Sequence, residues 1–171
     1  MRRRLLVVVS LVCLVPVVVL FAVVTLDAQT GERSPLEGVW KVTHIEVTGA
    51  DPSTNASPQP SQIIFTRGYY SINQINGATA RTPLRPPEPG KATDAEKLQH
   101  FDHWNMFLGL AGTYTIKGNV LRLRPLVAMG QFLMDGREIS REFAIDGNTL
   151  RLVWRAGVPP STHTQTLTRL E

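Results

Sequence analysis

The chain has 171 residues, 43% apolar and 19% charged, with 13 Gly, 12 Pro, one Cys and a formal charge of +4. This composition allows one domain of ordinary size and excludes a disulfide framework, a Cys-based zinc site and a highly charged disordered chain. The basic balance would suit a nucleic-acid partner, but Arg2, Arg3 and Arg4 stand together at the N-terminus, ahead of an apolar run.

Residues 5–26 (LLVVVSLVCLVPVVVLFAVVTL) carry no charge, and Asp27 follows them. A basic cluster followed by uninterrupted apolar sequence is the pattern of an export segment, so residues 1–28 are predicted to be a signal peptide or an N-terminal membrane anchor. The run is longer than the roughly 7–15 residues of a signal-peptide core and matches the roughly 20 that cross a bilayer. Cleavage after Ala28 would leave Leu26 at minus three, which meets the small-residue rule only in part; a cleaved signal is the favoured reading. On either reading the remainder is expected outside the cytoplasm, periplasmic or secreted, with membrane contact only through residues 5–26 if they are retained. Cys13 follows Val12 within the run and is not an acylation site at its end. Setting residues 1–28 aside removes three basic and one acidic side chain, so the charge falls from +4 by two and no nucleic-acid partner is expected.

Residues 29–37 (QTGERSPLE) read as a linker into a domain at 38–171. Short runs of β-branched, aromatic and polar residues bounded by Gly, Asn, Asp or Pro then predict eight strands, at 39–47, 61–66, 68–75, 112–117, 119–127, 137–145, 148–154 and 162–170. Lys117-Gly118-Asn119, Asp146-Gly147-Asn148 and Arg67-Gly68 supply the positive φ that tight hairpins need. Residues 48–60 (TGADPSTNASPQP) are predicted as a mobile loop, and the prolines 83, 86, 87 and 89 bar regular structure from 76–91. Thr93 with Glu96 three residues on forms a capping box, which starts a helix at 94–108 whose apolar side is Leu98, Phe101, Trp104 and Met106. The fold class is therefore all-β with one inserted helix: an eight-stranded antiparallel up-and-down barrel, large enough to hold side chains or one small ligand.

Gly38-Val39-Trp40 opens the first strand within LEGVWKV (36–42). It is followed in order by IIFTRGYYS (63–71), the acidic helix around Ala95-Glu96, GTYTI (112–116) and REFAIDGNTLRL (141–152). This order resembles the bacterial lipocalin-like domain family, over about Leu36 to Arg169. The resemblance implies a barrel with room for a small apolar ligand, and no reaction. It also implies that Trp40 lies across the closed end beneath a basic side chain of the last strand, with Arg169 the first candidate and Arg155 the second. The chain departs from the family where a His often follows the GTY strand; here that strand reads VLRLRPLV.

If Trp40 points inward, strict alternation places Val42, His44 and Glu46 on its face. The same period points Phe65, Tyr70, Ile72, Tyr114, Ile116, Phe143, Leu152, Trp154 and Arg141 into the barrel. A charged pair between Arg141 and Glu46 or His44 would mark either a hydrogen-bonded core or an anionic-ligand site. His100, Asp102 and His103 lie together on the helix, but without a third well-spaced ligand or an H-E-x-x-H pattern they read as a solvated face, and no metal is expected. No nucleophile elbow or phosphate loop is present, and no cofactor is expected.

The leading expectation is a monomeric binding module that takes a small apolar or amphipathic molecule, with the helix covering one end and His44, Glu46, Phe65, Tyr70, Ile72, Tyr114, Arg141, Phe143 and Trp154 as cavity candidates. It is not expected to be an enzyme. The alternatives are an isomerase-like or cyclase-like barrel using Glu46, His44 and Tyr70 as acid–base groups, and a barrel filled solidly with side chains.

Overall fold

The computed structural model describes residues 33–77, 80–81, 84–85 and 88–171. The export segment, most of the linker and the prolines at 83, 86 and 87 lie outside the described residues. The strands are β1 (Gly38–Thr48), β2 (Ser53–Asn55), β3 (Ser61–Thr66), β4 (Tyr69–Ile75), β5 (Phe107–Lys117), β6 (Val120–Ala128), β7 (Ile139–Asp146), β8 (Thr149–Ala156) and β9 (Ser161–Arg169). The helix α1 (Asp94–Asn105) separates β4 from β5, and a short 3-10 turn covers Gln131–Met134.

All neighbours pair antiparallel in the order β1-β3-β4-β5-β6-β7-β8-β9, and β9 pairs back with β1 from Trp40↔Arg169 to Thr48↔Thr162. Eight strands thus close into a barrel and leave no long free edge. β2 is an addition. Only Gly38–Trp40 of β1 pair with β3, which leaves the upper half of that edge open, and Ser53–Asn55 fold back onto Ile45–Val47 to satisfy it. The segment 48–60, expected to be wholly a loop, therefore contains a strand, because unpaired backbone groups at an edge seek partners.

The three connections at one end, 67–68, 118–119 and 147–148, are two-residue turns in which Gly68, Gly118 and Gly147 take positive φ. The connections at the other end are longer, from the four residues 157–160 to those that carry β2, α1 and the 3-10 turn, so this end is the mouth. β5 and β6 approach so closely at Gly112 that a Cβ there would overlap the Arg124 carbonyl. Their register shifts beside it, with an extra residue in β6 at Leu126.

The helix starts as its capping box requires: Thr93 Oγ1 accepts from the Glu96 amide at 3.3 Å, and Glu96 Oε2 accepts from the Thr93 amide at 2.8 Å. It ends at Asn105, and β5 begins at once with Phe107, five residues before the strand predicted at 112–117. The expected apolar side does not seal the barrel. Leu98, Phe101 and Trp104 are 61%, 58% and 59% exposed, and α1 buries no residue at all.

Candidate functional site

The barrel interior has two zones. In the first, Trp40, Val42, Ile63, Leu121, Leu123, Leu150, Leu152 and Leu167 are buried to the last per cent, in a dry apolar core. Leu36, just ahead of β1, plugs the closed end, where its carbonyl accepts from Trp40 Nε1 at 2.8 Å. The Arg169 guanidinium carbon lies 4.1 Å from the Trp40 ring centroid, and its nitrogens donate to the Glu37 carbonyl and, at 2.7 Å, to the Pro35 carbonyl. This end is structural: a cation over an indole face, with its remaining protons spent on backbone.

The second zone is polar and aromatic. Three residues on adjacent strands form a stack: His163 of β9 lies parallel to Trp154 of β8 at 5.2 Å between centroids, and the Arg141 guanidinium of β7 lies 4.2 Å from the centroid of the Trp154 ring system. The register explains it, because Trp154 pairs with His163, and Glu142 with Val153, which sets Arg141 beside Trp154 on the inner face. Next to them on β9, Gln165 Nε2 donates to Gln74 Oε1 of β4 at 3.1 Å, and Gln74 Nε2 donates to Asn76 Oδ1 at 3.2 Å.

Three atoms in this zone are sealed from solvent without a hydrogen-bond partner among the described residues: Arg141 Nε, the Tyr70 hydroxyl and Gln165 Oε1. Burial pushes the Tyr70 hydroxyl up to about 12, against a smaller pull downward from the Arg141 charge. Burial also brings the Arg141 guanidinium down to about 10, with Tyr70 acting weakly the other way. At neutral pH the zone therefore holds a cationic Arg141 beside a protonated Tyr70. No carboxylate among the described residues forms an ion pair with Arg141.

The predicted interior residues Phe65, Tyr70, Ile72, Tyr114, Arg141, Phe143 and Trp154 lie on the inward face, with Phe65 and Tyr114 edge to face at 5.3 Å. His44 and Glu46 do not. The β1–β9 register shifts between Val42 and His44, so Thr43 is an extra residue and the alternation slips by one. Ile45, paired with inward Gln165, takes the inner face, while Glu46 is exposed on the outside. Ile116 lies on the inner period but is 37% exposed at the end of β5. The acid–base trio of Glu46, His44 and Tyr70 does not converge. His100 Nε2 lies 3.0 Å from the Arg85 carbonyl, which ties α1 to the proline-containing segment, and no group of metal-ligating side chains occurs among the described residues. The polar inward residues not anticipated are Gln74, Gln165 and His163. Gln74 was within reach, two residues beyond Ile72, but a polar residue in a strand of alternating pattern carries no mark of facing a cavity.

At the mouth, Ile45, β2, Pro58, Gln59 and Ile75–Gly77 line a recess of about 290 Å³. No protein-family model matches the chain, and no curated protein does. The chain is similar to two solved structures. One is a lipocalin-like protein from Bacteroides uniformis ATCC 8492, with 12% identity, a TM-score of 0.46, and 79% of this chain and 98% of that chain covered. The other is an uncharacterized protein from Bacteroides eggerthii DSM 20697, with 10% identity, a TM-score of 0.44, and 78% and 98% covered.

Proposed function

We propose that the domain is an exported binding protein that takes a small apolar or amphipathic molecule into the polar and aromatic zone of its barrel. The observation that carries this reading is the incompleteness of that zone. Arg141 Nε, the Tyr70 hydroxyl and Gln165 Oε1 are sealed from water with unmet hydrogen-bonding capacity, which costs free energy unless something meets it. The inward side chains around them, Trp154, His163, Phe143, Ile139 and Leu108, are only half-buried, unlike the Leu and Ile residues of the dry zone. A few unmatched polar groups among incompletely covered apolar ones are the usual make-up of a ligand cavity. The dry zone supports the solid-barrel reading for the part of the interior around Trp40, so the ligand takes only the part around Arg141 and Trp154.

Catalysis has less support. His44 and Glu46 sit outside the alternation that would bring them to Tyr70, and a hydroxyl held protonated to about 12 is a poor base at neutral pH. Residues 5–26 act, on this reading, as the export segment. The test is titration of the intrinsic tryptophan fluorescence with a panel of fatty acids and retinoids. Trp154 lies in the zone and should report a saturable change, and no saturable change across the panel would remove the proposal.

A further inference from the structure

We infer that the molecule held in the barrel is an amphipathic anion whose carboxylate is received by Arg141 and the Tyr70 hydroxyl while its apolar body lies along Trp154, Phe143 and Ile139. This rests on the reading that the cavity binds a ligand, and adds the sign of the ligand's charge. A guanidinium taken from water needs compensation from an opposite charge or a full set of acceptors. Here, among the described residues, Trp154 covers one side at 4.2 Å, Nε has no acceptor, and no carboxylate pairs with the charge.

The groups on the surrounding elements do not supply the missing charge. Leu121 of β6 pairs with Arg141, Trp154 and His163 line β8 and β9, and Tyr70 projects from β4. The acidic residues closest in sequence, Glu138 and Glu142, are exposed, and Glu138 lies 3.6 Å from the outward Arg122. Glu46, the one acidic residue that strict alternation would have turned inward, is carried to the outside by the extra residue at Thr43. What remains is a fixed cation and a neutral hydroxyl donor set among apolar side chains. Nε with a neighbouring guanidinium nitrogen forms the two-pronged donor edge that matches a carboxylate, and the Tyr70 proton can complete a third bond. A neutral hydroxyl headgroup could accept one of these bonds but would leave the charge uncompensated, and an ammonium could accept none.

The test compares decanoate, decan-1-ol and decylamine, which share one apolar chain and differ in headgroup charge, by tryptophan fluorescence and calorimetry on the wild-type domain and on Arg141→Gln and Arg141→Lys. Decanoate should bind about tenfold or more tighter than decan-1-ol, as expected for a charge-assisted bond in a dry site, and decylamine weakest. Arg141→Gln should bring decanoate to the level of decan-1-ol, and Arg141→Lys should retain part of the preference. The headgroup comparison on the wild type stands whether or not a variant folds. If decan-1-ol binds as tightly as decanoate, the anionic assignment is overturned while cavity binding stands. If neither gives a saturable signal, both fall.

Discussion

Arg169 lies over the face of Trp40 while its own guanidinium donates to the carbonyls of Pro35 and Glu37, so one side chain fastens the last strand, the first strand and the segment that plugs the closed end. Replacing it with Ala removes the stacking and two charge-assisted bonds at once, and should cost about 2 kcal/mol. Arg169→Lys should recover only part, because an ammonium cannot serve both carbonyls and the ring together. Trp40→Ala should cost about 3–5 kcal/mol by the cavity it leaves. Urea unfolding of the three variants checks the order, and an Arg169→Ala midpoint equal to wild type would deny the clasp any energetic role.

Arg141 should behave in the opposite way. In the ligand-free domain its charge is buried without an ionic partner among the described residues, so Arg141→Met, of similar length and no charge, should leave stability unchanged or raise it by about 1 kcal/mol. A substitution that stabilises the fold while removing decanoate binding would separate the two roles. A loss of several kcal/mol would mean that the stack on Trp154 is structural.

Alkaline titration gives a sharper test. Tyr70 keeps its proton in the folded state up to about 12 against an ordinary value of 10.0, so the native state binds more protons between those limits and stability falls as pH rises through them. Arg141 loses its proton at about 10 when folded and later when unfolded, so above about 10 the unfolded state binds more protons and stability rises. The two slopes oppose each other in the wild type. Relative to it, Tyr70→Phe should show stability rising more steeply with pH from 10 to 12, and Arg141→Met should show it falling more steeply. Denaturant midpoints across that range decide it, and parallel profiles for all three proteins would contradict the shifts.

Thr93→Ala removes one half of the capping box and should cost about 1 kcal/mol of helix stability. Because α1 buries no residue, the loss should stay local. Amide exchange within 94–105 should accelerate while the melting temperature of the barrel changes little; a matching fall in both would show that the helix and barrel unfold together.

His44→Ala and Glu46→Gln should leave ligand binding within about twofold of wild type, since neither side chain shares the inner face with Ile45 and Gln165. A tenfold loss in either variant, measured by the same fluorescence titration, would restore strict alternation in β1.

The strands and the capping box were legible because alternation, turn glycines and the Thr93–Glu96 spacing are local. Three things were not. The bulge at Thr43 is a property of β1 against β9: nothing in VTHIEV says that one residue is surplus until Leu167, Thr166 and Gln165 are laid beside it. The short strand at Ser53–Asn55 exists because β3 stops pairing at Trp40, a matter of sheet geometry and not of Ser, Thr and Asn propensities. The side of α1 that carries Leu98 and Phe101 has helical spacing without a buried partner, so its pattern promised packing that the fold does not provide. In the site, the inward direction of Arg141 followed from Phe143 two residues away, whereas its stack with Trp154 and His163 depended on the register of three strands.

The closed end also brings the two ends of the barrel sequence together: the Val39 amide donates to the Glu171 carbonyl, and the Leu170 amide to the Val39 carbonyl. A reporter fused after Glu171 would hang from the face opposite the mouth, leaving the mouth unobstructed. By the same adjacency, a short Gly-Ser tether from Glu171 to Leu36 would turn the domain into a ring of chain that can be reopened at a mouth loop such as 157–160, giving a rearranged connectivity with new termini at the mouth.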